Sequence, residues 1–235
     1  MSIDPKTSVI SVVIPTLNAA DGLAAALALV VGEPGVEVVL VDGGSRDETV
    51  AIAKARGVRV LDSAPGRGRQ MNAGAAATGG DILLFLHGDT VLPAGFAALV
   101  RETLARPEVA AGAFRLSFAR PTGLALGMVA WGANLRSRWF GRPYGDQALF
   151  VRRELFTALG GFPELPIMED VVLVSNLRRH GRIVTRPEEV VTSARRWQRE
   201  GVWRHTLRNQ LILFGFYLGV AGERLAGWYR RGEKL

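Results

Sequence analysis

The sequence contains no cysteine, which excludes a disulfide framework, a thiolate zinc site and a cysteine nucleophile. It also lacks any apolar run near the ~20 residues that a membrane-spanning helix requires. No basic segment followed by an apolar core begins the chain, so we expect no signal peptide and a cytoplasmic location. The chain has no Walker A lysine motif, and the glycines at 66 and 68 lack the third glycine of the dinucleotide fingerprint, which argues against P-loop and Rossmann enzymes.

Positive charge is concentrated at the C-terminal end of an otherwise ordinary globular composition. The net charge is +7, yet residues 178–235 hold 13 Lys and Arg against 5 Asp and Glu, whereas residues 1–177 hold 16 against 17. A basic tail on a nearly neutral body fits an anionic partner such as a phosphate, a phospholipid headgroup or a nucleic acid. A solvated arginine-rich surface explains the same composition, so both interpretations stay open.

Strand-like and helix-like segments alternate through the first hundred residues. The run at 9–14 (VISVVI) has no polar alternation, which is typical of a strand buried on both faces. Ser45 and Glu48 have the spacing of a helix capping box. The alternation predicts an α/β fold with a mainly parallel, twisted sheet flanked by helices. The predicted strands are 9–14, 36–41, 58–61 and 82–86, and the predicted helices are 21–31, 45–56, 67–78 and 93–105.

The second half of the chain is less regular. We find no internal repeat and no low-complexity linker, so we expect a single domain over residues 1–235 that ends in a basic, helical appendage. The predicted strands here are 109–118, 145–151, 183–185 and 190–193, with helices at 153–159 and 170–180 and from 201 almost to the end.

Two uncharged apolar stretches bear on membrane contact. They are residues 122–134 (TGLALGMVAWGAN) and 211–222 (LILFGFYLGVAG), and both are too short to span a bilayer. The favoured interpretation is a buried core helix for each. The alternative is a helix that lies in a membrane interface, with Trp, Tyr and Arg at the depth of the headgroups.

Polar residues follow each of the first four predicted strands. Ligands of an open parallel sheet bind beyond the carboxyl ends of its strands. Pro15–Asn18 follows the first strand, Asp42–Asp47 the second, Gly66–Gln70 the third and His87–Asp89 the fourth. We therefore expect one site at this edge that combines carboxylates with arginines.

The acidic residues among these candidates have two interpretations each. Asp89 and His87 could face one divalent cation, although an Asp after a strand is equally often a turn former, and Asp42 has the same ambiguity. Glu169 and Asp170 begin a predicted helix, where a carboxylate suits the helix dipole or could act as a general base.

Three further groups stand out in the second half. Asp146 and Gln147 precede an apolar strand and form either a turn or a substrate contact. Arg196 beside Trp197 could bind a diphosphate through a guanidinium fork and an aromatic plane. His205 lies on a basic helix and is expected at the surface.

Four strings occur in a recognisable order: 11–18 (SVVIPTLN), 39–47 (VLVDGGSRD), 66–74 (GRGRQMNAG) and 84–89 (LFLHGD). They resemble the motifs of family 2 glycosyltransferases of the GT-A fold. The strings at 112–114 (GAF), 145–147 (GDQ) and 169–170 (ED) extend the resemblance into the second half. The compact length and the HGD, GDQ and SARRW strings are similar to the small bacterial subgroup called transferase 2, rSAM/selenodomain-associated.

The resemblance implies a donor half at 1–105 that binds a nucleotide-sugar, an acceptor half at 106–200 and a helical tail at 201–235. It implies inverting transfer of one sugar from a nucleotide-diphospho-sugar, usually UDP-linked, with Mg²⁺ or Mn²⁺ on the diphosphate. On this basis Asp170 is the base that deprotonates the acceptor, Asp89 is a metal ligand with His87, and Asp146, Gln147 and Glu169 support the site. The residues implied in nucleotide-sugar binding are Pro15, Thr16, Asn18, Asp42, Asp47, Arg67, Arg69, Arg196 and Trp197.

Two features depart from the family pattern. The usual Asp-x-Asp is His87-Gly88-Asp89 here, which removes one carboxylate from the expected metal site. The Gln-x-x-Arg-Trp string of processive synthases is present only as residues 193–197 (SARRW). Since the chain also lacks a multi-span channel, we expect a single transfer rather than polymer export.

The second half of the sequence suggests the class of acceptor, and two alternative functions stay open. Its basic and apolar character suggests a lipid or membrane-proximal acceptor with a hydroxyl or carboxyl group, and peripheral contact with an anionic membrane at the inner face of the cell membrane. One alternative is a sugar-nucleotide nucleotidyltransferase, although the glycine-rich loop and lysine of such enzymes are absent after the first strand. The other is a non-catalytic module for anionic membrane or nucleic acid, with nucleic acid the less favoured because charge alone supports it.

Overall fold

Four parallel strands form the half of the sheet that carries the predicted strand-end motifs. β1 (Ile10–Thr16) lies between β2 (Val36–Asp42) and β4 (Ile82–Phe85), and β3 (Arg59–Asp62) pairs with the outer side of β2. The computed structural model describes residues 3–119 and 123–233. Because β1 and β2 pair in register up to Thr16 and Asp42, their carboxyl ends lie side by side.

Helices cover both faces of this half-sheet, which explains why its strands lack polar alternation. Val12 and Val13 are successive residues of β1, yet they belong to two different cores and both are fully buried. Leu23 and Phe96 come from helices on the first face, and Met71 comes from a helix on the second. The four helices are α1 (Ala20–Leu27), α2 (Thr49–Ala55), α3 (Arg67–Ala76) and α4 (Phe96–Leu104).

α2 begins later than the sequence predicts. The capping box expected from Ser45 and Glu48 does not form, since the helix starts at Thr49 and Glu48 makes no side-chain cap. The Ser45 hydroxyl instead donates to Asp42 Oδ1 at 2.5 Å and accepts the backbone N–H of Asn18 at 2.8 Å. Ser45 therefore stabilises the loop after β2 rather than the start of α2, where the capping-box pattern places it.

The sheet continues through strands from the second half of the chain, now in mixed directions. β7 (Phe150–Arg152) is antiparallel to β4 and to β6 (Val109–Phe118). β8 (Arg182–Thr192) is parallel to β6, and β5 (Thr90–Val91) closes the edge antiparallel to β8. The order of the described strands is β3-β2-β1-β4-β7-β6-β8-β5. A mainly parallel sheet between helical layers confirms the predicted fold class.

Two strand predictions in this half are wrong. The short strands expected at 183–185 and 190–193 are parts of β8, which stays paired with β6 across a register shift between Phe114 and Arg115. The strand expected from residue 145 begins only at Phe150, because Gly145–Gln147 forms a single 3₁₀ turn. Both errors concern segments whose conformation is fixed by distant partners rather than by the local pattern.

The remaining helices connect these strands and build the tail. α9 and α10 pack on each other around Ile212 and Leu225, together with Ile167 from the acceptor half. No helix within the described ranges is long and apolar enough to cross a bilayer. The helices are α5 (Leu124–Phe140), α6 (Arg153–Ala158), α7 (Glu169–Leu177), α8 (Arg195–Glu200), α9 (Val202–Tyr217) and α10 (Gly222–Glu233).

The two uncharged stretches form helices that are buried on one side only. In α5, Leu126 is buried while Trp131 is exposed, and in α9, Ile212 is buried while Phe214 is exposed. The prediction of two core helices is therefore wrong for their outer faces. Residue 122, at the start of the first stretch, lies outside the described residues.

Candidate active site

The ends of β1 and β2 form a rigid loop pair around Asp42. This side chain is buried, and its Oδ2 accepts the backbone N–H groups of Gly44 at 3.0 Å and Ser45 at 2.8 Å. Its Oδ1 accepts the hydroxyls of Ser45 and of Thr16, the latter at 3.3 Å. A carboxylate has about four lone-pair sites, and all of them are used here. Asp42 thus organises the loop, and its predicted contact with a nucleoside stays a prediction.

A buried glutamine, which the sequence grouped with the strand-end residues without a role of its own, joins the two strand ends. Gln70 Nε2 donates to the carbonyl oxygens of Thr16 and Val41, both at 2.8 Å. A side chain at Gly43 would come within 3.1 Å of the same amide. Gln70 directly follows the Gly-Arg-Gly-Arg string, so its position next to a strand-end motif was the available signal.

Asn18 and Asp47 tie the loop after β1 to the loop after β2. Asn18 has a positive φ of 53°, and its Oδ1 accepts the backbone N–H of Arg46 at 2.9 Å. Asp47 accepts the backbone N–H groups of Ala20 and Thr49. Burial opposes ionisation of Asp47, but the Thr49 hydroxyl and these N–H groups lower its pKa below the usual value. These contacts support the expected role of both residues in shaping the nucleoside pocket, beside Pro15 at the end of β1.

Asp89 and His87 follow β4 but lie against different elements. A Cβ added at Gly22 of α1 would come within 2.8 Å of the Asp89 Cβ, so Asp89 lies on the side of the nucleoside loops. A Cβ added at Gly145 would lie 3.1 Å from His87 Nε2 and 3.3 Å from Asp170 Oδ2, so the imidazole lies on the side of the acceptor half. Burial, with the charges of Arg67 and Arg196, lowers the pKa of His87 to about 3.

The donor set fits a metal only in part. Within residues 3–119 and 123–233, no group of three His, Asp or Glu side chains is placed to hold an ion. Magnesium is commonly bound through one or two carboxylates together with substrate phosphates, and Asp89 fits that role. Neutral imidazole is the form of histidine that binds metals, so His87 has the protonation state of a ligand. The neighbouring guanidinium groups of Arg67 and Arg196 nevertheless oppose a cation there.

A buried carboxylate at the start of α7 binds an arginine from the donor half. Glu169 is 2% exposed and accepts from Arg67 Nε at 2.5 Å. Burial alone would lower the pKa of Arg67, but the charges of Glu169 and Asp170 raise it. Arg69 makes only a 3.8 Å ion pair with the exposed Glu164. Of the two arginines that the sequence offered for the nucleotide, the structure places Arg67 in the site.

Asp170 is held by the 3₁₀ turn of the acceptor half. Its Oδ2 accepts the backbone N–H of Gly145 at 2.8 Å, and its Oδ1 accepts its own helix's N–H at Val171. The neighbouring Asp146 has a buried Oδ1 without a hydrogen-bond partner. Burial, together with the charge of Asp170, raises the pKa of Asp146. Gln147 supports the turn from behind, since its Nε2 donates to Phe114 O and Ser137 Oγ, both at 3.0 Å.

The tail contacts the acceptor half at Arg196 of α8. Its Nη1 donates to the Tyr229 hydroxyl of α10 at 3.0 Å, a contact that no motif indicated. Trp197 packs on Phe118 and His205, with ring centroids 4.9 and 4.6 Å apart. The ring thus fixes α8 on the sheet, and its predicted contact with a diphosphate stays a prediction.

His205 is buried, so its expected place at the surface is wrong. The side chain is 2% exposed, and its Nδ1 lies 3.0 Å from Glu200 Oε2. Arg208 contacts the same carboxylate at 2.6 Å. This three-residue network holds the start of α9 against α8, and no local pattern in the sequence indicates it because the helices meet only after folding.

Residues 11–158 match the sequence model of the family described as Glycosyl transferase family 2. The chain belongs to this family. The match covers the donor half, the 3₁₀ turn and β7, but it ends before Asp170, Arg196 and the tail. A relative from Mycobacterium tuberculosis described as a PGL/p-HBAD biosynthesis glycosyltransferase is 35% identical over 170 residues, which cover 65% of this chain and 62% of the relative. The chain therefore spans less than two thirds of the length of the curated relatives that it matches.

Solved structures of the GT-A fold are similar to this family 2 chain. The mannosyltransferase PcManGT from Pyrobaculum calidifontis, in complex with GDP-Man and Mn²⁺, gives a TM-score of 0.61 at 20% identity and covers 88% of this chain and 67% of its own. The TarS 1–349 fragment from S. aureus, in complex with UDP, gives 0.62 at 18% identity and covers 79% and 60%. Glucosyl-3-phosphoglycerate synthase from Mycobacterium tuberculosis, in complex with Mn²⁺, UDP and glucosyl-3-phosphoglycerate, gives 0.56 at 23% identity and covers 77% and 70%. These likenesses confirm the fold, whereas the narrower subgroup resemblance stays a prediction.

Proposed function

We propose that this family 2 member transfers one sugar from a nucleotide-diphospho-sugar to an acceptor, with inversion at the anomeric carbon. The observation that carries the proposal is the junction of the two halves: Arg67 of the donor half binds Glu169, and the adjacent Asp170 is fixed on Gly145. A carboxylate held beside a cationic, strand-end pocket is the arrangement that acceptor deprotonation and diphosphate departure require.

UDP is the proposed donor nucleotide. Solved relatives of the fold bind UDP, and one binds GDP-Man, so the fold accommodates either base. Thr16, Asn18 and Asp47 tie together the loops at the ends of β1 and β2, and the proposed nucleoside pocket lies there beside the rigid Asp42 loop. Because Asp42 already accepts four hydrogen bonds, we propose that it serves donor binding by holding this loop pair in shape.

Asp170 is the proposed general base. The acceptor oxygen forms its bond to the anomeric carbon as the bond from that carbon to the β-phosphate oxygen breaks. The acceptor proton goes to Asp170, and the nucleoside diphosphate leaves with the bonding electron pair. Negative charge grows on the departing diphosphate, and the guanidinium groups of Arg67 and Arg196 provide the nearby positive charge. Glu169 positions Arg67, and Gly145 keeps Asp170 turned toward the site.

A divalent cation, Mg²⁺ or Mn²⁺, would supply further positive charge to the diphosphate when bound. Asp89 would hold it through a carboxylate oxygen, with His87 as the second proposed ligand. The side chains of the described residues are too few to complete a coordination shell, so the phosphate oxygens of the donor would provide the remaining ligands.

Calorimetric titration of UDP tests the donor half of the proposal. We expect UDP to bind in the presence of Mn²⁺ and to bind at least about tenfold more weakly in EDTA, since a cation held by Asp89 would supply positive charge to the diphosphate. Asp89→Ala should show the weak affinity in both conditions. The matched control Asp62→Ala changes an acidic residue at the exposed end of β3 and should bind like the unchanged protein.

Two results would contradict this assignment. If neither UDP nor GDP bound in either condition, the proposed donor site would be wrong. If UDP binding by Asp89→Ala still depended fully on the metal, other residues would have to be the metal ligands, and the proposed nucleotide pocket would be unaffected.

A further inference from the structure

Two neighbouring helices each expose a stripe of large apolar side chains. Such residues recur three or four positions apart along the outer face of each helix, which is the spacing of one helical face. α9 packs against α5, and the Arg142 guanidinium just after α5 lies 5.9 Å from the Tyr217 ring at the end of α9. We call this surface the apolar platform; its residues are Leu124, Met128, Trp131, Leu135, Trp139, Trp203, Leu207, Leu211, Phe214 and Leu218.

The exposure of the platform is not explained by loose packing of its helices. The opposite side of α5 is buried through Leu126 and Ala133, and that of α9 through His205 and Ile212. The outer side chains are nevertheless open, with Trp139 76% exposed. Contiguous exposed apolar surface on a folded protein marks a surface that another apolar phase covers.

Positive charge predominates on the two helices that carry the platform. Neither α5 nor α9 contains an Asp or a Glu, whereas four arginines lie on them. Arg138 and Arg204 are exposed beside the stripes, and Arg136 and Arg208 lie at their half-buried sides. Tryptophans with arginines around an apolar face are the composition of a helix that lies in the headgroup layer of a bilayer. A second copy of this chain would instead bring the exposed Arg138 and Arg204 against like charges, whereas Arg208 is already paired with Glu200.

The platform adjoins the acceptor half of the site. The Arg136 guanidinium of α5 stacks on the Tyr144 ring, with its carbon 3.7 Å from the ring centroid. Tyr144 is followed directly by Gly145, whose N–H holds Asp170. Arg136 of α5 is therefore connected to the proposed base Asp170 through Tyr144 and Gly145.

We infer that the apolar platform docks this protein on the surface of an anionic lipid bilayer, with the acceptor side of the site toward the headgroups. Docking requires no transfer reaction. The accompanying assignment of the acceptor to lipid-borne molecules rests on the proposed function. We place this docking at the inner face of the cell membrane, because the cytoplasmic leaflet carries the anionic lipids.

Vesicle co-sedimentation with the full chain tests the docking. We expect binding to vesicles of phosphatidylglycerol and phosphatidylcholine, and binding at least about tenfold weaker to phosphatidylcholine alone. Trp131→Ser combined with Trp139→Ser should weaken binding to the anionic vesicles by more than tenfold, because two rings no longer enter the interface. The matched control, Leu29→Ser with Val31→Ser, removes exposed apolar residues outside the platform and should bind unchanged.

UDP titration of each variant shows that the donor half is folded and separates the two proposals. Vesicle binding without UDP binding would support docking and overturn the proposed donor. Equal sedimentation of the platform variant and the control would overturn docking. Docking would also be overturned by a dimer, formed without vesicles, that the platform substitutions dissociate, or by binding to a single-stranded oligonucleotide that exceeds binding to anionic vesicles.

Discussion

The donor half and the acceptor half with its tail differ in how their buried polar groups are paired. At the ends of β1 and β2, Asp42 and Gln70 use their hydrogen-bonding groups on neighbouring backbone and side chains. Among the described residues, by contrast, every buried side-chain nitrogen or oxygen without a hydrogen-bond partner lies between Arg142 and Asn209. Unpaired buried polar groups cost free energy, and in native proteins they are commonly satisfied by a ligand or by water.

This difference indicates a preformed donor pocket and an acceptor side that is completed by what binds there. Asp146 Oδ1 is unpaired beside the proposed base, and Trp197 Nε1 is unpaired in α8. The apolar platform adds an uncovered surface on the same side. Substitutions that change one half at a time therefore test whether the two halves differ in this way.

The largest effect is expected for Asp170→Asn. The amide cannot accept the acceptor proton, so transfer should fall on the order of 10²–10⁴-fold. UDP affinity should stay within about twofold, because Asp170 contacts the acceptor turn rather than the nucleoside loops. Product formation at saturating donor measures the first quantity and calorimetry the second. Normal turnover in the variant would require another base, and Asp146 is the next carboxylate.

In the donor half, substitution of the buried Asp42 carboxylate should strongly lower the free energy of unfolding. Asp42→Ala removes the acceptor for two backbone N–H groups and two hydroxyls in a buried loop, so we expect a loss of about 3 kcal/mol in the free energy of unfolding. Urea unfolding measures this change, with Asp62→Ala at the end of β3 as the control. A loss below about 1 kcal/mol would show that the loop is not preformed.

The sequence predicted the donor half well because its structure is decided locally. Apolar runs such as 9–14 can only be strands buried on both faces, and the polar residues after them necessarily meet at one edge of a parallel sheet. The acceptor half depends on distant contacts instead. The pairing of Arg196 with Tyr229, the burial of His205 on Glu200 and the continuous β8 each join segments that no local pattern connects. The half-exposed faces of α5 and α9 agree with the less favoured of the two interpretations, because the absence of charge in a stretch does not show which side of its helix is buried.

In the acceptor half, substitution of Asp146 should increase the free energy of unfolding, whereas substitution of Asp42 in the donor half should decrease it. Its carboxyl is buried with one unpaired oxygen, so Asp146→Asn should raise the free energy of unfolding by about 1 kcal/mol near neutral pH. The pKa of Asp146 is raised in the folded protein, so the unfolded chain loses this proton first as pH rises.

The unchanged protein should therefore lose stability as pH rises above the ordinary aspartate range, and the variant should lack this part of the pH dependence. Urea unfolding at several pH values measures both effects. A destabilised Asp146→Asn would mean that the carboxylate is already satisfied within the fold, and the contrast between the halves would fail at this residue.

The smallest effect is expected for Arg69→Ala, and it tests the choice between two adjacent arginines. The 3.8 Å ion pair of Arg69 with Glu164 is exposed on both sides, so its removal should change the free energy of unfolding by less than about 0.5 kcal/mol. UDP affinity should also be unchanged. Arg67→Ala is the matched comparison: it leaves the buried Glu169 carboxylate without its partner and removes positive charge from the site, so both stability and nucleotide affinity should fall. Equal losses for the two variants would place the diphosphate between the arginines and bring Arg69 back into the donor pocket.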